Sequence, residues 1–449
     1  MNIHPDIAAG RLTDSDYAEN FSDVHPPLDR KAALIEASRC YFCYDAPCIE
    51  ACPTGIDIPS FIRKISTDNV RGAAQDILDE NIMGGACARV CPTEVLCQEA
   101  CVRNTQEHKP VQIGLLQRYA TDAVMDDAAH PFQRAEATGK RVAVVGAGPA
   151  GLSCAHRLAM HGHDAVVFEA KAKAGGLNEY GIAAYKVPED FAHREVDFIL
   201  EIGGIEIRND QALGRDISLA DLRRDYDAVF LGMGLGGVRA LGLEGEDLDG
   251  VHSAVDFIAD LRQSENLASL PVGRKVVVIG GGNTAIDIAV QTKRLGAEDV
   301  TLVYRRGPEA MSATGHEQEF AQVNGVKIKH WAQPRQIRGA HGHVTDVVFE
   351  YTQLDGDGRL SGTGDAFSVP ADMVFKAIGQ EMLPLPQANG GSELLEMDGA
   401  CIAVNDERQT SLPDVWAGGD CVAVSEDLTV AAVQDGKLAA ESINRFLRS

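Results

Sequence analysis

Positive charge is scarce in this sequence: 41 Lys and Arg stand against 66 Asp and Glu, a net charge of −25. A surface of that sign repels phosphate backbones, so nucleic acid is excluded as an expected partner. No run reaches the roughly 20 apolar residues that crossing a bilayer requires, so no membrane association is expected either. The opening MNIHPDIAAGRLTDSD lacks a basic stretch followed by an apolar one. It therefore does not read as a secretory signal, and a cytoplasmic location is expected. Cysteine is almost absent beyond residue 101, where only Cys154, Cys401 and Cys421 occur. Those three are isolated, so none has the C-x-x-C spacing of a redox-active disulfide. Cys154 lies on an apolar helix and reads as packing.

What the sequence has is length, glycine and a cysteine-rich head. Its 449 residues suggest two to four domains, and 45% apolar with 24% charged residues is an ordinary globular balance. The first 125 residues read as helical, with apolar spacing in PSFIRKIS and VRGAAQDILDENI. A polar connector over Asp126–Gly139 precedes KRVAVVGAGPAGLSCAHRLAMHG, which reads strand, tight turn, helix, with DAVVFEA as the next strand. The same pattern returns at RKVVVIGGGNTAIDIAVQTKRLG and DVTLVYRR. Short strands such as DMVFKAIG follow, GAHGHV and DGDGRLSGTGD look like hairpin turns, and an Ala-rich helix closes the chain.

The first turn is Gly146-Ala147-Gly148-Pro149-Ala150-Gly151. Gly146 permits the tight turn, Gly148 lets the backbone approach a pyrophosphate, and Gly151 lets the helix pack on the strand. The helix N-terminus then faces the negative charge. Glu169 ends the following strand, where a carboxylate can accept hydrogen bonds from a ribose. The second turn is Gly280-Gly281-Gly282-Asn283-Thr284, with Ala285 in the third glycine position. Its next strand ends in Arg305-Arg306 rather than an acid, which suits the 2′-phosphate of NADP over the 2′-hydroxyl of NAD.

Eight of the eleven cysteines fall in two groups. One is Cys40-x2-Cys43-x4-Cys48-x3-Cys52-Pro53; the other is Cys87-x3-Cys91-Pro92-x4-Cys97-x3-Cys101. Thiolates of this density suit zinc or iron–sulfur. Zinc has no redox role. Since nothing downstream offers a disulfide, a one-electron outlet favours two [4Fe–4S] clusters.

The pair of fingerprints together with TSLPDVWAGGD resembles the two-dinucleotide-binding flavoproteins. The resemblance implies FAD at the first fingerprint, with Gly419, Asp420 and Thr429 closing its site, and a nicotinamide nucleotide at the second. It also implies that the NAD(P) domain is inserted in the FAD domain. The head, through CYFCYDAPCIEACP, GACARVCPTEVLCQEAC and IGLLQ, resembles the N-terminal domain of dihydropyrimidine dehydrogenase, and the likeness continues through GGLNEYGIAAYKVP to the C-terminus. That family implies one cluster on Cys40, Cys43, Cys48 and Cys101. It implies the other on Cys52, Cys91, Cys97 and Gln117, leaving Cys87 spare, whereas spacing alone would choose eight cysteines. It also implies Gly176, Leu177 and Lys186 near the flavin and Ala377 and Gly379 near the nicotinamide. Lys186 and Ser312 stand where the mammalian-type enzyme has arginines, and the bacterial form uses NAD, so the nucleotide stays open.

The expected architecture is α/β. A helical iron–sulfur domain (1–125) is followed by a first stretch of the FAD domain (126–250), an inserted NAD(P) domain (251–385) and a second stretch of the FAD domain (386–449). Both nucleotide domains are expected to be Rossmann-like. The mammalian-type enzyme carries its pyrimidine site in a further FMN barrel. The resemblance is therefore to the small subunit of the bacterial enzyme, which passes electrons from NAD(P)H to an FMN and iron–sulfur partner that reduces uracil or thymine. No catalytic acid for the pyrimidine step is expected in this chain, and His316, Glu317 and Glu319 read as solvated or helix-starting. The glutamate synthase small subunit shares the architecture, but typically has a compact C-P-A-P-C-E-x-x-C where this chain has C-P-T-E-V-L-C-Q-E-A-C. Another ferredoxin–NAD(P) reductase or a transhydrogenase subunit is a third reading.

Overall fold

The computed structural model describes residues 6–125, 129–383 and 395–449. The expected domain limits at 125/126 and 385/386 touch residues outside that set. Two compact units emerge. One holds Met1–Val24, Tyr180–Pro188 and Gly237–Glu381; the other holds His25–Glu179, Glu189–Gly236 and Met382–Ser449.

The larger unit begins with a set of short helices. Apolar residues at helical spacing build its head core: Ile58, Phe61, Ile62 and Ile65 from Ile58–Ser66 meet Ala73, Ala74, Ile77 and Leu78 from Val70–Glu80. Asp57 and Asn69 cap these two helices by accepting from the N–H groups of Ser60 and Gly72. Ile113–Met125 buries Leu116, Ala120 and Val124 in the same core. The Rossmann-like portion is a five-stranded parallel sheet in the order Val415–Ala417, Ala228–Leu231, Arg141–Val145, Asp164–Phe168, Ile205–Arg208. Its central strands are buried almost throughout, as parallel strands covered on both faces must be. The last helix, Thr429–Arg448, lies along Pro149–Met160 at close range, because a side chain at Gly436 would collide with the Ala150 carbonyl.

The other unit repeats the plan. Its parallel sheet runs Val251–Ser253, Met373–Ala377, Lys275–Gly280, Asp299–Val303, Lys327–Lys329, again with the fingerprint strand in the middle. An antiparallel meander of Ala332–Ala340, His343–Leu354 and Leu360–Pro370 is added. His341 and Gly342 turn its first hairpin with φ of 55° and 87°, the left-handed pair that a two-residue loop requires. Residues 6–24, expected in the helical head, count with this unit, and Tyr17 is buried in its core.

Candidate functional site

At the first fingerprint each glycine meets a different constraint. Gly146 has φ 97°, and a Cβ there would strike the Gly232 carbonyl; at Gly151 it would strike the Gly146 carbonyl. At Gly148 a Cβ would meet nothing nearer than Gly176 Cα at 3.7 Å. The turn is therefore tight where it packs and open where a ligand would lie. Gly148 caps the twelve-residue helix Pro149–Met160 with extended backbone, and Pro149 fills the first helical position. Ala150 is buried one position on. Glu169 is buried, accepting from the N–H of Ala147 at 2.8 Å and of Lys171 at 2.9 Å. Each of its oxygens keeps a lone pair for a ribose hydroxyl. Gly175 donates to the Ala147 carbonyl at 2.8 Å, which brings Gly176, at φ 58°, and Leu177 beside the turn.

The C-terminal segment reaches the same place. Gly419, φ 75°, donates to Asp435 at 2.8 Å, and a Cβ on it would stand 3.1 Å from that of Ala150. Burial, then Asp427 and Asp435, push the Asp420 carboxyl up to about 6. Thr429 donates to Asn178 Oδ1 at 3.2 Å. The residues of this cradle, open at Gly148 and closed by Asp420, fit a dinucleotide.

In the other unit, Gly280 has φ 154° and sits against the Ala377 carbonyl, while Gly281 lies under the Tyr304 ring. Gly282 caps Asn283–Arg294, with Ser312 Oγ 3.1 Å from its Cβ position. Asn283 is exposed, Thr284 is half-buried and Ala285 is buried. Gly379, φ 100°, faces open space. Arg305 and Arg306 are exposed at the end of Asp299–Val303, and neither joins a salt bridge among the described residues. Lys186 also belongs to this unit. Its Nζ lies 2.8 Å from Asp287 and 2.7 Å from Glu317, all three side chains largely buried. Burial pulls this ammonium down, but Asp287 and Glu317 outweigh it and hold it above its usual range. Glu317 starts its helix as expected, yet it is an ion-pair partner rather than a solvated acid; His316 and Glu319 are exposed.

The head gathers the cysteines into two sets. Cys40, Cys43, Cys48 and Cys101 line one cavity with Ile58, Ile62 and Ile113. Burial, then Cys40 and Cys101, push the Cys48 thiol up to about 12. In the other set, burial raises Cys91, with Cys87, Cys97 and Cys52 adding to it, and burial raises Cys97, with Cys52 adding. Thiols this crowded ionise together only around a strong positive centre, which fits iron. Among the described residues no three His, Cys, Asp or Glu converge on a single ion. A cluster spreads its ligands around several irons, so wider spacing suits it. Gln117 is buried, and its Nε2 donates to the Gly84 carbonyl at 2.7 Å, so Oε1 is the end with lone pairs to offer a metal. Cys87 is buried near Cys52 and bonded to Asn81.

Two features had no signal in the sequence. Glu195 is buried and accepts from Ala86 N at 2.8 Å, on the helix that precedes Cys91; burial lifts it to about 7. Lys437, on the last helix, reaches the head loops. Both are single charges inside otherwise ordinary amphipathic helices.

No helix among the described residues is long and apolar enough to cross a membrane. Residues 17–129 match the family model described as dihydropyrimidine dehydrogenase domain II, 4Fe-4S cluster. Residues 140–436 match pyridine nucleotide-disulphide oxidoreductase. The chain is 36% identical to the glutamate synthase [NADPH] small chain of Escherichia coli (strain K12), over 95% of this chain and 94% of that one. It is 34% identical to the NAD-dependent dihydropyrimidine dehydrogenase subunit PreT of Salmonella typhimurium, over 96% and 98%. Among solved structures it is similar to Mycobacterium tuberculosis FprA in complex with NADPH. There the TM-score is 0.58 at 21% identity, over 69% of this chain and 84% of that one, a likeness of fold. The chain thus belongs to the pyridine nucleotide-disulphide oxidoreductases, in the group that carries a 4Fe-4S head, and is an NAD(P)-dependent oxidoreductase of the FAD and iron–sulfur kind.

Proposed function

We propose that this chain is the electron-input subunit of a dihydropyrimidine dehydrogenase, taking electrons from NAD(P)H and handing them to a separate FMN-bearing chain that reduces uracil or thymine. The observation that carries the reading is the second cysteine group. Its Cys91-Pro92-x4-Cys97-x3-Cys101 spacing is the longer one, and the 4Fe-4S model named for that dehydrogenase spans it. When bound, FAD would supply the exchange between the two-electron chemistry of NAD(P)H and single electrons, and two [4Fe–4S] clusters would supply a one-electron path outward.

The chain's own residues do the remaining work. Gly146 to Gly151, Glu169, Gly176, Leu177, Gly419, Asp420 and Thr429 would hold FAD. Gly280 to Thr284, Ala377 and Gly379 would hold the nicotinamide nucleotide, with Arg305 and Arg306 facing the ribose that distinguishes NAD from NADP. Cys40, Cys43, Cys48 and Cys101 would hold one cluster, and Cys52, Cys91, Cys97 and Gln117 the other. Each NAD(P)H gives up two electrons and one proton; the electrons leave singly to the partner and the proton goes to water.

The 36% identity to a glutamate synthase small chain favours a second reading, in which the partner is a glutamate-forming chain. Both are tested by anaerobic stopped flow with NADH and with NADPH. Loss of both flavin and iron–sulfur absorbance is expected; loss of flavin absorbance alone, or absence of iron, would sink the relay. Adding the FMN subunit with uracil, or the synthase large chain with glutamine and 2-oxoglutarate, then separates the two partners by which mixture oxidises the nucleotide continuously. If NADPH is the substrate, R305A with R306A lowers its kcat/KM about 10- to 100-fold and leaves NADH unchanged, as loss of charged hydrogen bonds does.

A further inference from the structure

The last helix carries one lysine whose contacts the nucleotide site does not need. The Nζ of Lys437 donates to the carbonyl of Thr54 at 3.0 Å, to the carbonyl of Glu80 at 3.1 Å and to Glu80 Oε2 at 2.6 Å. These three acceptors use all three ammonium hydrogens. The side chain is 13% exposed. Each acceptor sits at a joint of the head. Thr54 lies two residues past Cys52, and its Oγ1 is 3.4 Å from Cys52 Sγ. Glu80 ends the helix Val70–Glu80, where a cation also meets the negative end of the helix dipole. From there Asn81, Ile82 and Met83 lead into Gly84–Val90, which carries Cys87 and precedes Cys91.

The same turn of the last helix is fixed at the nucleotide cradle. Asp435 accepts from Gly419, Gly436 lies against the Ala150 carbonyl, and Val433 O accepts from Ser153 at 2.7 Å. Asp435 and Lys437 are two residues apart. One helical turn therefore joins the closing edge of the first fingerprint to the loops that bear Cys52 and Cys91.

We propose that Lys437 is a positioning residue for electron transfer: it clamps the Cys52 loop and the corner before Cys91 onto the nucleotide-binding fold, and so fixes the hop from the flavin to the cluster held by those cysteines. The proposal rests on the relay reading above. Lys437→Met leaves two carbonyls and a carboxylate without their donor, and Lys437→Arg keeps the charge while changing its shape.

The experiment compares both variants with the parent holoenzyme. Iron content and the rate of flavin bleaching by NADH or NADPH, whichever the parent prefers, are expected to stay at parent values. The following iron–sulfur bleaching is expected to slow about tenfold or more in K437M, with K437R between. In parallel, exchange of the Gly55 and Asn81 amides, which bond to Cys52 O and Ile77 O, is expected to quicken about 10- to 100-fold, as losing these buried bonds implies. Parent-like iron–sulfur bleaching in K437M with full iron content overturns the electron-transfer role. Unchanged exchange at both amides overturns the clamp itself. Should the parent hold no iron, the relay reading fails and the exchange measurement alone decides the clamp. If K437M does not fold, E80Q, which keeps the shape and weakens the same contact, replaces it; iron–sulfur bleaching about threefold slower and amide exchange about 3- to 10-fold faster are expected, and parent values of both overturn the proposal.

Discussion

Lys186 is a largely buried ammonium shared between two carboxylates. Removing one partner of such a group leaves like charges facing each other. Lys186→Met is expected to destabilise its unit by about 3–5 kcal/mol near neutral pH. The loss should shrink in acid, where Asp287, its carboxyl raised by burial, takes up a proton, and denaturant unfolding at pH 5 and pH 8 reads it. Asp420 behaves differently. Its carboxyl titrates near 6 in the folded chain, against 3.8 for an ordinary one, so between pH 4 and 6 the folded state keeps a proton that the unfolded state has lost. Stability of the flavin-free protein therefore falls as pH rises through that window and stays lower above it. Asp420→Asn should abolish the fall, gaining about 1–3 kcal/mol at pH 7 and nothing below pH 4. An unchanged pH profile would mean that Asp420 is not the group responsible. Residues of this kind are where the sequence says least. The exposed place of Arg305 and Arg306 was legible because two charges that follow an apolar strand turn to solvent. Glu317 was not, because its partner Lys186 lies 131 positions away, and nothing in GHEQEF differs from an ordinary helix start.

The pieces of regular structure were far more legible. Both fingerprints combine an apolar strand, glycines and a helix within one short segment, so local chemistry dictates them. The hairpin at GAHGHV and the helices over PSFIRKIS and VRGAAQDILDENI follow for the same reason. The pairing of the first and last helices of the nucleotide fold was not visible, since it depends on Gly436 meeting Ala150 across most of the chain. A methyl group at that position must push the two helices apart. Gly436→Ala is accordingly expected to cost about 1–3 kcal/mol, read from chemical denaturation, although alanine favours an isolated helix. A neutral or stabilising outcome would show that the helices can slide to make room. The N-terminal segment reads as part of the head because it runs into the helical, cysteine-punctuated stretch. Tyr17 joins the other core, and no periodicity in seven helical residues could have said so.

At the scale of the whole molecule the charge of −25 dominates. NAD(P)H is itself an anion, so it approaches against a repulsive field except near Arg305 and Arg306. The bimolecular rate of flavin reduction should therefore rise with added salt as the long-range repulsion is screened. A rate that falls with salt would show that the two arginines govern capture. The arrangement of the chain has another consequence. Each unit is made of three separate stretches, and the larger one takes both the strand Val415–Ala417 and the helix Thr429–Arg448 from the last stretch. On a ribosome the second fingerprint's unit has all its pieces once residue 381 has emerged. The first fingerprint's unit, although its coding begins earlier, must wait for that strand and that helix. Newborn chains thus finish from the middle outward, and a stop codon just ahead of Val415 would strand the first fingerprint's cradle while leaving the second fingerprint's fold whole.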